Sequence, residues 1–159
     1  MPEWSAVAAD TKVETPEGSM TIRAVAGQAI AVLTKAADGT HRFRLMKDVE
    51  KIADQQPVLR ITLDNGSSFR VGPQQIVFAH GMVETRAADI APGVAVESAF
   101  HFPAGHQYRN AAGTLQTSTG AWRVTAVEAA GTADVYRLHV NQTGMFFVSA
   151  GVLCKADGN

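Results

Sequence analysis

The chain has very little cysteine: Cys154 is the only one among 159 residues. A single cysteine excludes a disulfide within the chain, and such chains are typical of reducing compartments. The cysteine count therefore favours the cytoplasm and leaves the localisation otherwise open. His101 and His106 lack cysteine or acidic partners at ligand spacing. We therefore predict no metal and no other cofactor.

Long apolar runs and blocks of like charge are also missing. No apolar stretch approaches the ~20 residues that span a bilayer. The first residues lack the basic and apolar regions of a signal peptide. With 14 Lys and Arg against 15 Asp and Glu, the formal net charge is −1. This balance argues against nucleic acid or a membrane surface as a partner. We also expect the protein to be a monomer.

The sequence does contain enough apolar residues for one core, since 46% of it is hydrophobic. A chain of this length fits a single domain. We predict that domain at residues 6–156, with flanks at residues 1–5 and 157–159. Residues 100–120, rich in glycine, proline and hydroxyl side chains, predict a long irregular insertion.

Most of the domain has the alternating and β-branched pattern of strands. The predicted strands are residues 21–25, 29–34, 41–46, 58–63, 68–71, 76–78, 122–127, 133–140 and 145–149. Asn65-Gly66 predicts a hairpin closed by a tight primed turn, which needs positive φ at both residues. Residues 85–90 predict one helical turn. The fold class is therefore all-β with at most short helical turns.

A weak internal repeat joins two parts of the chain. Residues 21–27 and residues 85–93 are similar, and an apolar strand follows each. Two similar halves predict a pseudo-symmetric body. Coincidence in an alanine-rich chain is the alternative explanation.

Several motifs in fixed order resemble a known family. They are Asp10-Thr11-x-Val13-x-Thr15-Pro16-x-Gly18, then segments at residues 63–93, 134–140 and 146–156. In this order they resemble Hint domains, the self-processing modules of inteins, bacterial intein-like domains and Hedgehog proteins. The resemblance covers residues 6–156. It implies a compact, pseudo-symmetric, horseshoe-like fold that brings both ends of the domain into one cleft.

The resemblance implies protein splicing or autocleavage, with the domain's own flanking segments as partners. Its first step needs a thiol or hydroxyl that attacks the preceding carbonyl, and Ala6 occupies that position. The first scissile bond would be Ser5–Ala6. The second would be Ala156–Asp157, where the family has an asparagine that cyclises. Neither alanine can perform this chemistry.

Other positions of the implied site also depart from the family. Gly72 and Gln75 stand at the ends of its Thr-x-x-His motif. A glutamine donates hydrogen bonds but cannot shuttle a proton in the physiological range. Arg137 occupies an acidic position, and Lys155 occupies that of a histidine.

Two further residues near these positions are candidates by residue type. His139 lies beside the implied site and is a candidate general base, with a surface or satisfied histidine as the alternative. Cys154 is a candidate nucleophile, with a buried small apolar residue as the favoured interpretation.

The alanines at the junctions have two explanations. They fit a precursor disabled by substitution, whereas Gln75, Arg137 and Lys155 fit natural divergence, and we favour a combination of the two. The predicted function is an intein-like self-processing domain in an inactive or divergent form. The alternatives are a structural or binding module with the same body, and an unrelated all-β domain. A conventional enzyme fits poorly, because no paired carboxylates, triad or phosphate loop is evident.

Overall fold

The computed structural model describes residues 6–97, 107–109, 113, 115–117 and 122–156, and most of them form β-strands. The strands are β1 (Val7–Ala8), β2 (Lys12–Thr15), β3 (Gly18–Thr21), β4 (Ile30–Lys35), β5 (His41–Leu63), β6 (Ser68–Val71), β7 (Ile76–Ala79), β8 (Val83–Arg86), β9 (Gln107–Arg109), β10 (Leu115–Thr117), β11 (Val124–Val140), β12 (Met145–Phe147) and β13 (Leu153–Lys155). A short helix, α1 (Ile22–Val25), and a 3₁₀ turn (Ala87–Asp89) follow two of the hairpins. The all-β prediction is confirmed.

The two longest strands, β5 and β11, pair with each other along most of their length. β5 and β11 pair antiparallel from Leu63↔Val124 to Met46↔Val140, with several register shifts. The sequence predicts each as two short strands, and this prediction is wrong. Asp48 and Gln55 adopt positive φ values of 54° and 46°. These bulges bend the strand without ending the ladder, so the polar middle of β5 remains paired although its composition is not strand-like.

A pseudo-two-fold axis relates the two halves. β1 and β6 pair at Val7↔Val71 in the middle of the sheet ordered β11-β1-β6-β5-β4. Each is followed by a hairpin, β2–β3 or β7–β8, and then by a helical turn. The Ile22 N–H donates to the Thr11 carbonyl at 2.9 Å, and the Ala87 N–H donates to the Gln75 carbonyl at 2.8 Å. The internal repeat is therefore a structural symmetry and not a coincidence.

The predicted strand at residues 21–25 is wrong, because α1 occupies most of it. Thr21 caps this helix: its side-chain oxygen accepts a hydrogen bond from the Ala24 N–H at 3.3 Å. Ile22 and Val25 then lie on one helical face and are fully buried. A capping threonine and apolar residues three apart outweigh β-propensity here. The predicted helical turn within residues 85–90 is found as the 3₁₀ turn.

The Asn65-Gly66 hairpin is confirmed, but its turn type is not. Only Gly66 has positive φ, at 88°. Its N–H donates to the Leu63 carbonyl at 3.0 Å, while the Asn65 side chain accepts from the Ser67 N–H at 2.8 Å. This is the arrangement of a three-residue loop, a type I turn followed by a left-handed glycine. The side-chain bond holds Asn65 at negative φ.

The predicted irregular insertion contains regular structure. β9 and β10 pair antiparallel from Arg109↔Leu115 to Gln107↔Thr117. The prediction of an irregular segment is wrong for these residues. Short strands flanked by Asn110 and Gly113 are the ordinary composition of a hairpin, and the many turn residues on both sides hide them in the sequence.

Most buried side chains belong to one apolar cluster built from both halves, with members such as Val13, Ile22, Val77 and Phe146. Among the residues that the structure describes, no helix is long and apolar enough to cross a membrane. The core contains side chains from the long-strand sheet and from both hairpins.

A buried carboxylate ties β4 to the segment after β8. Glu97 accepts a hydrogen bond from Lys35 Nζ at 2.8 Å and another from the Gly81 N–H at 2.7 Å. His80 Nδ1 lies 3.8 Å from the same carboxylate. Burial raises the pKa of Glu97, but the Lys35 and Gly81 hydrogen bonds and the Lys35 and His80 charges outweigh it, so the net pKa is lowered.

We expect this lowered pKa to appear as acid sensitivity. A depressed carboxylate pKa stabilises the fold above the unfolded-state pKa, and that stability is lost as the pH falls through the folded-state value. Unfolding by urea should therefore become easier below about pH 4.5. Glu97→Gln should cost about 2 kcal/mol at pH 7 and flatten the acid dependence. An unchanged pH profile in Glu97→Gln would contradict this role.

Candidate functional site

One turn of the chain is hydrogen-bonded to both ends of the domain. The Gly72 N–H donates to the Ala6 carbonyl at 2.9 Å, and the Gln75 N–H closes the turn onto the Gly72 carbonyl at 3.1 Å. The Gln75 side-chain Nε2 donates to the carbonyl of Lys155 at 2.8 Å and to that of Ile76 at 2.9 Å. Residues 72–75, called the junction turn below, thus connect the start of β1 to the end of β13.

Ala6 is buried at this turn, with 3% of its surface exposed. Its methyl group packs in a small cluster of alanine and valine side chains: Ala8, Val58, Ala133 and Val135. A Cβ at Gly72 would lie 3.5 Å from the Ala6 carbonyl oxygen. The first junction position is therefore enclosed by small groups, and no reactive atom is present on it.

Gln75 is the most enclosed polar residue of the junction turn, with 1% of its surface exposed. Its Nε2 carries two hydrogens, and the Lys155 and Ile76 carbonyls accept both. A buried amide with both donors paired is a strong positioning element. Its amide therefore fixes the C-terminal strand, and it carries no titratable proton.

The other end of the domain is also fixed through its backbone. Ala156 is buried, with 3% exposed, and its N–H donates to the Gly144 carbonyl at 2.8 Å. Lys155 points outward and forms an ion pair with Glu84 at 3.1 Å. The second junction position thus has a defined backbone but only a methyl side chain.

Cys154 lies in the core and away from solvent. It is fully buried on β13, paired with Val77 on one side and Phe146 on the other. Burial raises the pKa of the Cys154 thiol far above its usual range. Because the thiolate is the nucleophile, this environment favours the interpretation of Cys154 as a buried apolar residue.

Arg137 and His139 lie on β11, beyond the residue that pairs with Val7. The Arg137 guanidinium forms an ion pair with Glu50, with Nε 2.6 Å from Oε1. His139 is half-buried and opposite Lys47 in the ladder. The junction-turn hydrogen bonds described above run to the carbonyls of Ala6, Gly72, Ile76 and Lys155. The structure joins Ala6, Gly72, Gln75 and Lys155, and it leaves His139 as a neighbour on the adjacent strand.

No candidate metal site is evident among the described residues, which contain no cluster of three or more His, Cys, Asp or Glu side chains. His101 and His106 lie outside the described residues. His80 has 70% of its side chain exposed. It is a solvated turn residue that faces Glu97.

This chain is similar to known proteins in fold but not in sequence. No protein-family model matches the chain, and no curated protein matches it in sequence. Solved structures do match. The crystal structure of the Ssp DnaB mini-intein variant M86 has a TM-score of 0.75 at 10% identity, covering 100% of this chain and 99% of the other.

Two further structures give the same result. The DnaX mini intein from Spirulina platensis has a TM-score of 0.71 at 16% identity, with coverage of 94% and 98% of the two chains. The bacterial intein-like domain from Clostridium thermocellum has a TM-score of 0.69 at 14% identity, covering 94% and 97%. The protein therefore has the Hint fold of inteins and intein-like domains, which confirms the predicted fold.

Proposed function

We propose that this protein is a self-processing domain of the intein type in an unreactive form, whose partners are its own flanking segments. The main support is the junction turn, which bonds to the Ala6 carbonyl and to the Lys155 carbonyl. A domain that cuts or joins its flanks needs both of its ends held at one place, since proximity supplies much of such a reaction.

The chemistry requires a nucleophile at position 6. A thiol there attacks the carbonyl carbon of Ser5, so that a sulfur–carbon bond forms while the Ser5–Ala6 amide bond breaks and the freed amine takes the proton. At the other end, an asparagine side-chain nitrogen at position 156 attacks its own carbonyl and releases the amine of Asp157. Ala6 and Ala156 have the positions for these steps but not the atoms.

A structural or binding module is the second candidate. The observation that favours it is the pairing of both Gln75 amide hydrogens, which stabilises the junction turn without contributing a titratable group. In this case the Hint body persists as a scaffold, since fold does not fix function. The two candidate functions predict different results when a nucleophile is introduced at position 6 and an asparagine at position 156: only a self-processing domain should then cleave itself.

The unsubstituted protein, with alanine at both junctions, should remain intact. Neither junction has a reactive side chain, and the Cys154 thiol is buried. Incubation of the folded protein with dithiothreitol or hydroxylamine, followed by mass spectrometry, should return the full chain of 16.9 kDa. Cys154→Ala is a control that should behave identically. A product cut between Ser5 and Ala6 would show that another group is the nucleophile.

A further inference from the structure

A second cleft is lined by residues that correspond, in the other half of the fold, to those of the junction turn. Thr11 takes the place of Gln75: its N–H donates to the Ala8 carbonyl at 2.9 Å, as that of Gln75 does to the Gly72 carbonyl at 3.1 Å. The Thr11 hydroxyl also donates to the Arg70 carbonyl. Because Val7 pairs with Val71 across the axis, the residues preceding them, Ala6 and Arg70, are equivalent.

The C-terminal segments correspond in the same way. Val13 bridges to Val148, just as Val77 pairs with Cys154. Ser149 is therefore the counterpart of Lys155. The symmetry that builds the junction turn builds a second cleft with different side chains.

This second cleft, with a volume of about 320 Å³, carries positive charge. Lys12, Arg60 and Arg70 line it together with one carboxylate, that of Asp10. The cleft therefore has two positive charges in excess, in a protein whose net charge is −1. Clefts in which one sign of charge is in excess concentrate counter-ions of the opposite sign.

The two arginines face each other directly. Arg60 on β5 and Arg70 on β6 are cross-strand partners, a pairing that is unfavourable for like charges. Asp10 holds Arg70, with Oδ2 2.9 Å from a terminal guanidinium nitrogen. Arg60 stands opposite Glu128 in the β11 ladder, yet its guanidinium makes no ion pair within the described part of the chain.

Ser149 adds an unused hydrogen-bond donor. Its hydroxyl oxygen is buried and has no hydrogen-bond partner in the described structure, although its backbone N–H donates to the Lys12 carbonyl at 2.8 Å. Buried hydroxyls are nearly always paired. Ser149 lines the cleft, so rotation about its Cα–Cβ bond can bring this hydroxyl to an acceptor bound there.

We propose that this second cleft binds an oxyanion, the phosphate or carboxylate group of a small molecule. Arg60 supplies a two-pronged donor to it, Lys12 adds charge, and the Ser149 hydroxyl donates a hydrogen bond. Arg70, held by Asp10, forms the cationic floor. Binding here uses none of the junction residues and does not depend on self-processing.

Thermal unfolding in sodium phosphate, with ionic strength matched by sodium chloride, tests the proposal. A ligand that binds only the folded state should raise Tm in a saturable way, by about 3–6 °C at ten times its Kd. Arg60→Gln should remove most of this rise. Ser149→Ala should weaken binding about 10-fold or more. Arg42→Gln, an exposed arginine on the same strand and outside the cleft, is the matched control and should leave the rise unchanged.

A parallel titration with sodium acetate separates the two chemistries. Saturation by phosphate alone identifies a phosphate group, whereas saturation by acetate that competes with phosphate identifies a carboxylate. An unsaturable rise, no rise with either anion, or an equal rise in Arg60→Gln and Arg42→Gln would overturn the proposal.

Discussion

Ala6→Cys is expected to turn an inert chain into one that dithiothreitol cuts after Ser5. The substitution adds one sulfur atom immediately before β1, where the Gly72 N–H already fixes the carbonyl of residue 6 at 2.9 Å. A thiol on residue 6 can attack the carbonyl of the preceding residue through a five-membered ring, and added thiols exchange the resulting thioester. Mass spectrometry should show the chain without its first five residues.

The matched control is Ala8→Cys. Ala8 is fully buried in the same small cluster as Ala6 and lies two residues further along the chain, so a thiol at this position has a similar environment without a scissile bond at a junction. Ala8→Cys should stay intact. Equal cleavage in both variants would point to non-specific thiol chemistry and against the assignment of position 6.

The reaction of Ala6→Cys should be slow. Gln75 has no proton to exchange in the physiological range, and general acid–base groups contribute typically ~10²–10⁴-fold. Adding Gln75→His should raise the cleavage rate toward that range. A rate unchanged by the histidine in a folded variant would show that position 75 only positions the strands.

Gln75→Ala should be among the most destabilising single changes in the chain. It leaves the buried Lys155 and Ile76 carbonyls without their donor and opens a space at a site that is 1% exposed. Lost hydrogen bonds and cavity formation together suggest a cost of about 2–4 kcal/mol. Urea unfolding followed by far-ultraviolet circular dichroism measures it.

The neighbouring glutamine is the control for this effect. Gln74 is only half-buried, and its side chain accepts one hydrogen bond, from Arg86 at 3.2 Å. Gln74→Ala should therefore cost less than about 1 kcal/mol. If both variants lost the same stability, the link between the junction turn and β13 would not be the cause.

The strand pattern and the motif order could be predicted from the sequence, because alternation and turn residues are local signals. The length of β5 could not: its continuity depends on pairing with β11 and on bulges at Asp48 and Gln55, which are decided by tertiary contacts. Similarly, α1 depends on the burial of Ile22 and Val25. This burial is a tertiary contact, so the local sequence, which predicts a strand here, does not show it.

The candidate site was predictable only as positions. The resemblance assigns Gly72, Gln75 and Lys155 to the candidate site, but the hydrogen bond from the Gln75 amide to the Lys155 carbonyl is a long-range contact without a sequence signal. The second cleft does have a sequence signal, since Arg60 and Arg70 lie on the two strands of a predicted hairpin. Their direct pairing depends on the register that the three-residue loop sets.

The most direct test of the central claim is the triple variant Ala6→Cys, Gln75→His, Ala156→Asn, folded and analysed by mass spectrometry with and without dithiothreitol. If the junction turn holds both ends of a self-processing domain, cuts should appear after residue 5 and after residue 156. A folded triple variant that stays intact at both bonds would contradict the claim and leave a Hint-shaped module without the chemistry.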